Sequence, residues 1–240
     1  MSEIWNTLID CETRIIQLLN HNCNEIQDHS MNRFNQPDNG WINRVWKNDS
    51  VRRAHVDVVD AREQRGLWMM HVCLFPTIGN DAPIYGFDVI AGKNKITGAF
   101  LDFSTTTNHE HQMQKDYQKI VEDFVPEKSR DLPQWARNIF SSHMIAAGNV
   151  RDQKEATEIV RLALETMEYY IGNVCKYNGV SDNDISIMAQ NYYCENQRKN
   201  PHTPRVMKSL GLDESDVDEF CGDVLFPFVP LNESKADVVI

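Results

Sequence analysis

The chain has 240 residues, 41% of them apolar and 25% charged, the make-up of a globular protein able to bury a core. Its formal net charge of −11 argues against broad contact with nucleic acid or an anionic membrane, so an anionic partner would need a local basic patch. No apolar run approaches the roughly 20 residues of a membrane span, and six scattered cysteines without a Cys-x-x-Cys pair read as reduced thiols of a cytoplasmic protein.

Met1–Leu19 mixes Glu3, Asp10, Glu12 and Arg14 into its apolar positions, which predicts an amphipathic helix and no secretory leader. Ile4, Leu8, Cys11, Ile15 and Leu19 form its buried stripe at spacings of three and four. A loop rich in Asn, Pro and Gly follows over residues 34–40. Residues 55–62, 66–75, 84–91 and 95–104 are runs rich in Val, Ile, Phe and Met, punctuated by Gly and Pro, and read as strands. Their short connections imply antiparallel neighbours. His109 and His111 are the only potential ligands at finger-like spacing; they read as a solvated loop before a helix, and no metal is expected. Helical patterns then cover residues 112–124, 133–142 and 152–177. Ser181 and Asp182 are placed to cap a helix over 183–199. A last helix spans 216–225, and the tail over 228–240 reads as loose. Strands in the middle with helices before and after predict an α+β fold. It would be an α/β/α sandwich in which a central antiparallel sheet is flanked by helices on both faces, in a single domain over residues 1–240 that acts as a monomer.

Strands buried on both faces make polar residues inside them informative. His71 is the one ionisable group besides a thiol in the 67–75 run, and Asp88 is the one charge in 84–91. Pro76 and Pro83 bracket the connection, and a hairpin symmetric about that bracket sets His71 directly opposite Asp88. A one-residue slip would put them on opposite faces. An imidazole and a carboxyl group facing each other in apolar surroundings share a proton, which suits proton delivery to a substrate and equally suits a buried contact that satisfies only itself. Asp57 and Asp102 also interrupt strands. Taken alone, each reads as turn-facing or solvated.

The stretches His71-Val-Cys-Leu-Phe-Pro76, Pro83-Ile-Tyr-Gly-Phe-Asp-Val-Ile-Ala-Gly92 and Ile96-Thr-Gly-Ala-Phe-Leu-Asp-Phe-Ser-Thr-Thr106 resemble the central signature of the ferredoxin-dependent bilin reductases. The likeness is closest to the phycocyanobilin:ferredoxin oxidoreductase branch and its phage-encoded, phycoerythrobilin-forming relatives. It implies biliverdin IXα held between the sheet and the C-terminal helices. It also implies no metal or flavin, and single electrons arriving from a reduced [2Fe-2S] ferredoxin through bilin radicals. Carried over residue by residue, Asp88 is the central proton donor and His71 its partner. Asp57 stands where the phycocyanobilin enzymes have a Glu serving the vinyl-side reduction. Thr97 stands where a Ser contacts a propionate.

The departures lie in the outer-ring residues. Where the family has a second catalytic Asp this chain has Pro201, which has no proton to give. His202 replaces a propionate-binding Lys, with Arg205 nearby, and another propionate-binding Arg is lost in a short turn over 146–149. These changes favour phycoerythrobilin, formed through 15,16-dihydrobiliverdin, over phycocyanobilin as product. A two-electron enzyme stopping at 15,16-dihydrobiliverdin and a non-catalytic bilin carrier are the alternatives. Two basic clusters, Arg44, Lys47, Arg52 and Arg53, and Arg198, Lys199, Arg205 and Lys208, are the candidate docking faces for an acidic ferredoxin.

Overall fold

The computed structural model describes residues 3–231, apart from the side chain of Ser30. Seven strands form one antiparallel sheet in chain order: β1 (Asn24–Ile26), β2 (Trp41–Lys47), β3 (Val51–Ala61), β4 (Leu67–Pro76), β5 (Ile84–Gly92), β6 (Lys95–Ser104) and β7 (Ile145–Val150). A one-turn helix, α2 (Arg62–Arg65), ends on Gly66 in the left-handed region and turns the chain from β3 into β4.

The strands expected from β-branched and aromatic runs are present within a few residues of their expected bounds. Three others were not read from the sequence. β1 and β2 sit in polar texture, and β7 runs through residues 146–149, which were expected to be a turn. Small residues there signal close packing against the neighbouring chain. The outer edge of β7 is covered by the segment before α4 (Gln134–Arg137), with Arg130 N donating to Ala146 O at 2.8 Å and Gly148 N to Lys128 O at 2.8 Å.

One face of the sheet is covered by α1 (Glu3–Asn22), α3 (Gln112–Val121) and α5 (Gln153–Asn173). Their apolar stripes meet Val56, Val58, Trp68, Val72, Phe87 and Leu101. The Tyr85 hydroxyl reaches across and donates to Ala163 O at 2.9 Å, so its burial in this layer carries no unpaired polar atom. The opposite face carries Met69, Cys73, Phe75 and Ile84 and is covered by α6 (Asn183–Gln197), α7 (His202–Ser209), α8 (Glu214–Glu219) and a π-helical turn over Phe220–Leu225. Asp182 caps α6 by accepting from Asp184 N at 2.9 Å. The helix expected over 133–142 is the single turn α4, and α7 was not expected because Pro201 precedes it and a histidine and Pro204 stand in its first turn.

Two polar residues depart from their expected solvation. His111 is buried, and its Nδ1 accepts from Met113 N at 3.1 Å while Gln114 Oε1 accepts from His111 N at 2.9 Å, a reciprocal cap for α3. Asp102, 1% exposed, accepts from Ser141 N at 3.0 Å, Ser141 Oγ at 2.5 Å and Ser104 Oγ at 2.9 Å. It faces inward because β6 lies between two strands and under a covering loop. The contact ties the loop after α4 to the sheet.

Burial pushes the Asp102 pKa up to about 6, against the pull of those serines. A raised carboxyl pKa means that the folded state binds the extra proton, so stability is lost as pH climbs from about 4 through 6. We expect Asp102→Asn to destabilise most at pH 4.5. Its deficit against wild type should shrink by about 2 kcal/mol by pH 7.5, in urea titrations at both pH values.

Of the expected loose tail, residues 232–240 lie outside the described residues. Before them, Asn191 exchanges two 2.8 Å hydrogen bonds with Val229, and the Arg198 guanidinium lies 3.8 Å from the Phe228 ring centroid. No helix among the described residues is long and apolar enough to cross a membrane.

Candidate active site

Strand pairing brings six residues into one row across the sheet. Asn43 pairs with Asp57, Asp57 with His71, His71 with Asp88, Asp88 with Phe100 and Phe100 with Ala146. Side chains alternate along each strand, so this row shares the face of Met69, Cys73 and Ile84, under the C-terminal helices. The hairpin register expected between His71 and Asp88 is the observed one.

Above the row is a cavity of about 360 Å³. Asp57, His71 and Asp88 are in its floor. Leu132, Pro133, Trp135 and Phe140 give an aromatic and apolar wall on one side, and Val206, Leu225 and Phe226 another. Thr97, Arg130, Asn200, His202 and Arg205 bring polar groups to it. An apolar slot of this size with a few convergent polar groups is the usual form of a small-molecule site.

His71 Nδ1 lies 2.5 Å from Asp88 Oδ1. The two differ in surroundings: the imidazole is 8% exposed and the carboxyl 37%. The imidazole is therefore the more desolvated member, while Asp88 opens into the cavity. Burial alone would push the His71 pKa down. The Asp88 charge and hydrogen bond, with a smaller contribution from Cys73, outweigh it and hold His71 well above its ordinary value. His71 Nε2 has no hydrogen-bond partner among the described residues, and its ring meets Phe226 edge-on at 5.4 Å and His55 at 6.3 Å between centroids.

Asp57 is fully buried, contrary to the solvated position that its own sequence context suggested. A mid-strand residue between two paired neighbours has no route to water except through the cavity. Trp41 Nε1–H donates to its Oδ1 at 2.7 Å, and Oδ2 has no partner among the described residues. Burial pushes its pKa up to about 6, opposed by the Trp41 hydrogen bond, the His71 charge and the Asn43 side chain.

Thr97 is the unopposed residue of a β-bulge, because Ile90 pairs with Gly98 and Ala91 with Ile96. Its Oγ1 donates to Ile90 O at 2.9 Å. His202 and Arg205 reach the cavity from α7, which starts immediately after Pro201. All six expected site residues thus meet at one cavity. Arg130 was missed by the sequence reading. Its Nη2 donates to Thr97 O at 2.6 Å, and its side chain lies flat over Gly148, where an added Cβ would come within 2.8 Å of Arg130 Cγ. The run Ala146-Ala-Gly148 was the available signal, because a glycine inside a strand marks a close approach.

The basic clusters do not form the open patches expected. Arg44 is held by both carboxylate oxygens of Glu25, at 2.8 and 2.7 Å. Arg52 is held by Gln190 Oε1 at 2.6 Å over the Phe75 ring, and buried Arg53 by Asp28 at 3.0 Å and Val224 O at 2.8 Å. In the second cluster Arg198 serves the carbonyls of Gly222 and Phe226, Lys199 pairs with Glu195 and Lys208 with Glu214. Arg205 is the member of that cluster that lines the cavity.

A family model described as ferredoxin-dependent bilin reductase matches residues 11–227. Phycocyanobilin:ferredoxin oxidoreductase of Synechococcus sp. is 29% identical over 181 residues, 72% of this chain and 71% of that one. The enzyme of the same name from Prochlorococcus marinus is 26% identical over 193 residues, 78% of this chain and 76% of its own. Among solved structures, one of PcyX is 40% identical, covers 93% of this chain and 99% of its own, and superposes with a TM-score of 0.70. Tomato phytochromobilin synthase in complex with biliverdin shares the fold at 13% identity, with a TM-score of 0.73 over 89% of this chain and 82% of its own. The chain belongs to the ferredoxin-dependent bilin reductases, oxidoreductases that act on bilins with ferredoxin as electron donor.

Proposed function

We propose that the cavity takes biliverdin IXα flat against the sheet and that the protein reduces it to phycoerythrobilin through 15,16-dihydrobiliverdin. The observation that carries this reading is the His71–Asp88 pair, a proton store with its basic end buried and its acidic end open to the cavity. Each two-electron reduction consumes two protons and two single electrons from two reduced ferredoxins. An open-chain tetrapyrrole accepts an electron more readily once protonated, because the added proton offsets the added charge. A bound pigment would cover Asp88, drive water from it and favour passage of the His71 proton through Asp88 to the substrate.

Asp57 is the acid for the second reduction. Its raised pKa leaves an appreciable protonated fraction near neutrality, and it is paired across the strands with His71, the imidazole that would reload it. Pro201, immediately before α7, has no proton to give where the family has its second Asp, and this supports a product distinct from phycocyanobilin. Chromatography of anaerobic reaction products against bilin standards tests the assignment. A final peak of phycocyanobilin, or a halt at 15,16-dihydrobiliverdin, would replace it.

Arg130, Thr97, His202 and Arg205 supply the polar end of the cavity, which suits the two propionates of the pigment. A guanidinium–carboxylate contact is a charge-assisted hydrogen bond. Arg130→Ala is expected to weaken biliverdin binding about tenfold while leaving the bound-state reduction rate within a few-fold, by absorbance titration and single-turnover kinetics.

A further inference from the structure

The indole of Trp41 is held by aromatic rings on two sides and touches one polar group. Its ring lies 5.8 Å from Phe34 and 5.1 Å from Phe220, and those two lie 5.2 Å from each other. The triad clamps Trp41 so that its N–H meets Asp57 Oδ1 at 2.7 Å. On its other side Trp41 lines a second cavity of about 370 Å³, with Val59, Ala61 and Leu212, so the indole is the partition between that space and the carboxyl of the active site.

An indole nitrogen donates and never accepts. While Trp41 donates to Oδ1, that oxygen is best satisfied as the carbonyl, the stronger acceptor, so a proton on the Asp57 carboxyl is favoured on Oδ2. That oxygen is buried, has no partner among the described residues and belongs to a residue in the floor of the substrate cavity. We infer that Trp41 is a positioning residue that fixes the orientation of the Asp57 carboxyl and keeps its transferable proton on the oxygen presented to the pigment. A hydroxyl or amide in place of the indole could accept as well as donate, and the proton would then have two resting places. This inference rests on the reading of Asp57 as donor for the second reduction. In that step Asp57 gives one proton and a second comes from solvent. Two reduced ferredoxins each give one electron and are oxidised, and the conjugated pigment gains two hydrogens and loses one double bond. The other titratable groups that act on Asp57 or feel its charge, among the described residues, are His71, Asp88 and the thiol of Cys221.

The test compares wild type, Trp41→Phe, Asp57→Asn and the double variant with biliverdin and reduced ferredoxin. A further protein carries benzothienylalanine at position 41, which keeps the bicyclic shape and replaces the N–H by sulfur should the smaller ring fail to pack. Two quantities are read: the ratio of 15,16-dihydrobiliverdin to final product, and the infrared carboxyl stretch assigned to Asp57 by its loss in Asp57→Asn. With the donor removed, the second reduction should slow about tenfold with the first unchanged, and the stretch should shift. The double variant should match Asp57→Asn alone. A wild-type ratio and stretch in both donor-less proteins overturns the role of Trp41, as does a double variant slower than Asp57→Asn. A wild-type ratio in Asp57→Asn instead overturns the role given to Asp57, and the role of Trp41 falls with it.

Discussion

Asp88→Asn should lower turnover of biliverdin by about 10²–10⁴-fold, the range for loss of a positioned general acid, while biliverdin binding stays within a few-fold of wild type. The amide has the shape of the carboxyl and leaves the apolar walls in place, so the pigment still fits. What disappears is the route from the buried imidazole to the cavity. The variant should leave the substrate unreduced or trap it as a one-electron bilin radical, seen by electron paramagnetic resonance after ferredoxin is added. Normal turnover would remove Asp88 from the mechanism. The same change acts on His71, whose pKa is raised by the Asp88 carboxylate against the effect of burial. Without that charge burial prevails, and the imidazole of the empty variant should be neutral at pH 7, which its ring resonances in a nuclear magnetic resonance titration would report. A His pKa raised in the folded state stabilises fully below the unfolded value near 6.5, and the gain is lost as pH rises through the folded value. Asp88→Asn should therefore be more destabilising at pH 6 than at pH 10.

Asp57→Asn should alter the product rather than the start of the reaction. The first reduction, proposed to use the His71–Asp88 pair, should proceed within a few-fold of wild type. The second should slow by about 10²-fold or more, so that 15,16-dihydrobiliverdin accumulates in a chromatogram of the quenched reaction. The wild-type enzyme carries a pH signature of the same group. Asp57 is the proposed acid, and its pKa is pushed up to about 6 by burial. Above that pH the protonated fraction falls tenfold per unit, and the rate of the second step in single-turnover experiments should fall with it, while Asp57→Asn loses this limb. The first step is assigned to His71 and Asp88 in the proposal, so following each step by its own absorbance change separates the two. A second step indifferent to the Asp57→Asn change would move the donor elsewhere.

Local patterns in the chain were enough to locate the parts that depend on nearest neighbours. Alternation and turn residues delimited β4, β5 and β6, and two prolines bracketing a short connection set the register that pairs His71 with Asp88. The α1 and α5 stripes were legible because a helix buries one side at a regular period. Motif resemblance placed Asp57, Thr97, His202 and Arg205 at the site. Only the folded chain decided how deep each group lies. Asp57 and Asp102 read as solvated from their flanking residues, yet neighbouring strands and a covering loop bury both. The split within the His71–Asp88 pair, imidazole buried and carboxyl open, depends on which wall stands over each, and that information is spread over α4, α7 and the turn at Phe226. The same holds for Arg130 lying on Gly148, for Trp41 reaching Asp57, and for arginines that look like a docking patch but are spent on Glu25, Gln190 and Asp28. Periodicity constrains which side of an element faces inward. Contacts between residues far apart in sequence set the local dielectric and the partner of each charge, and with them the direction in which a proton can move.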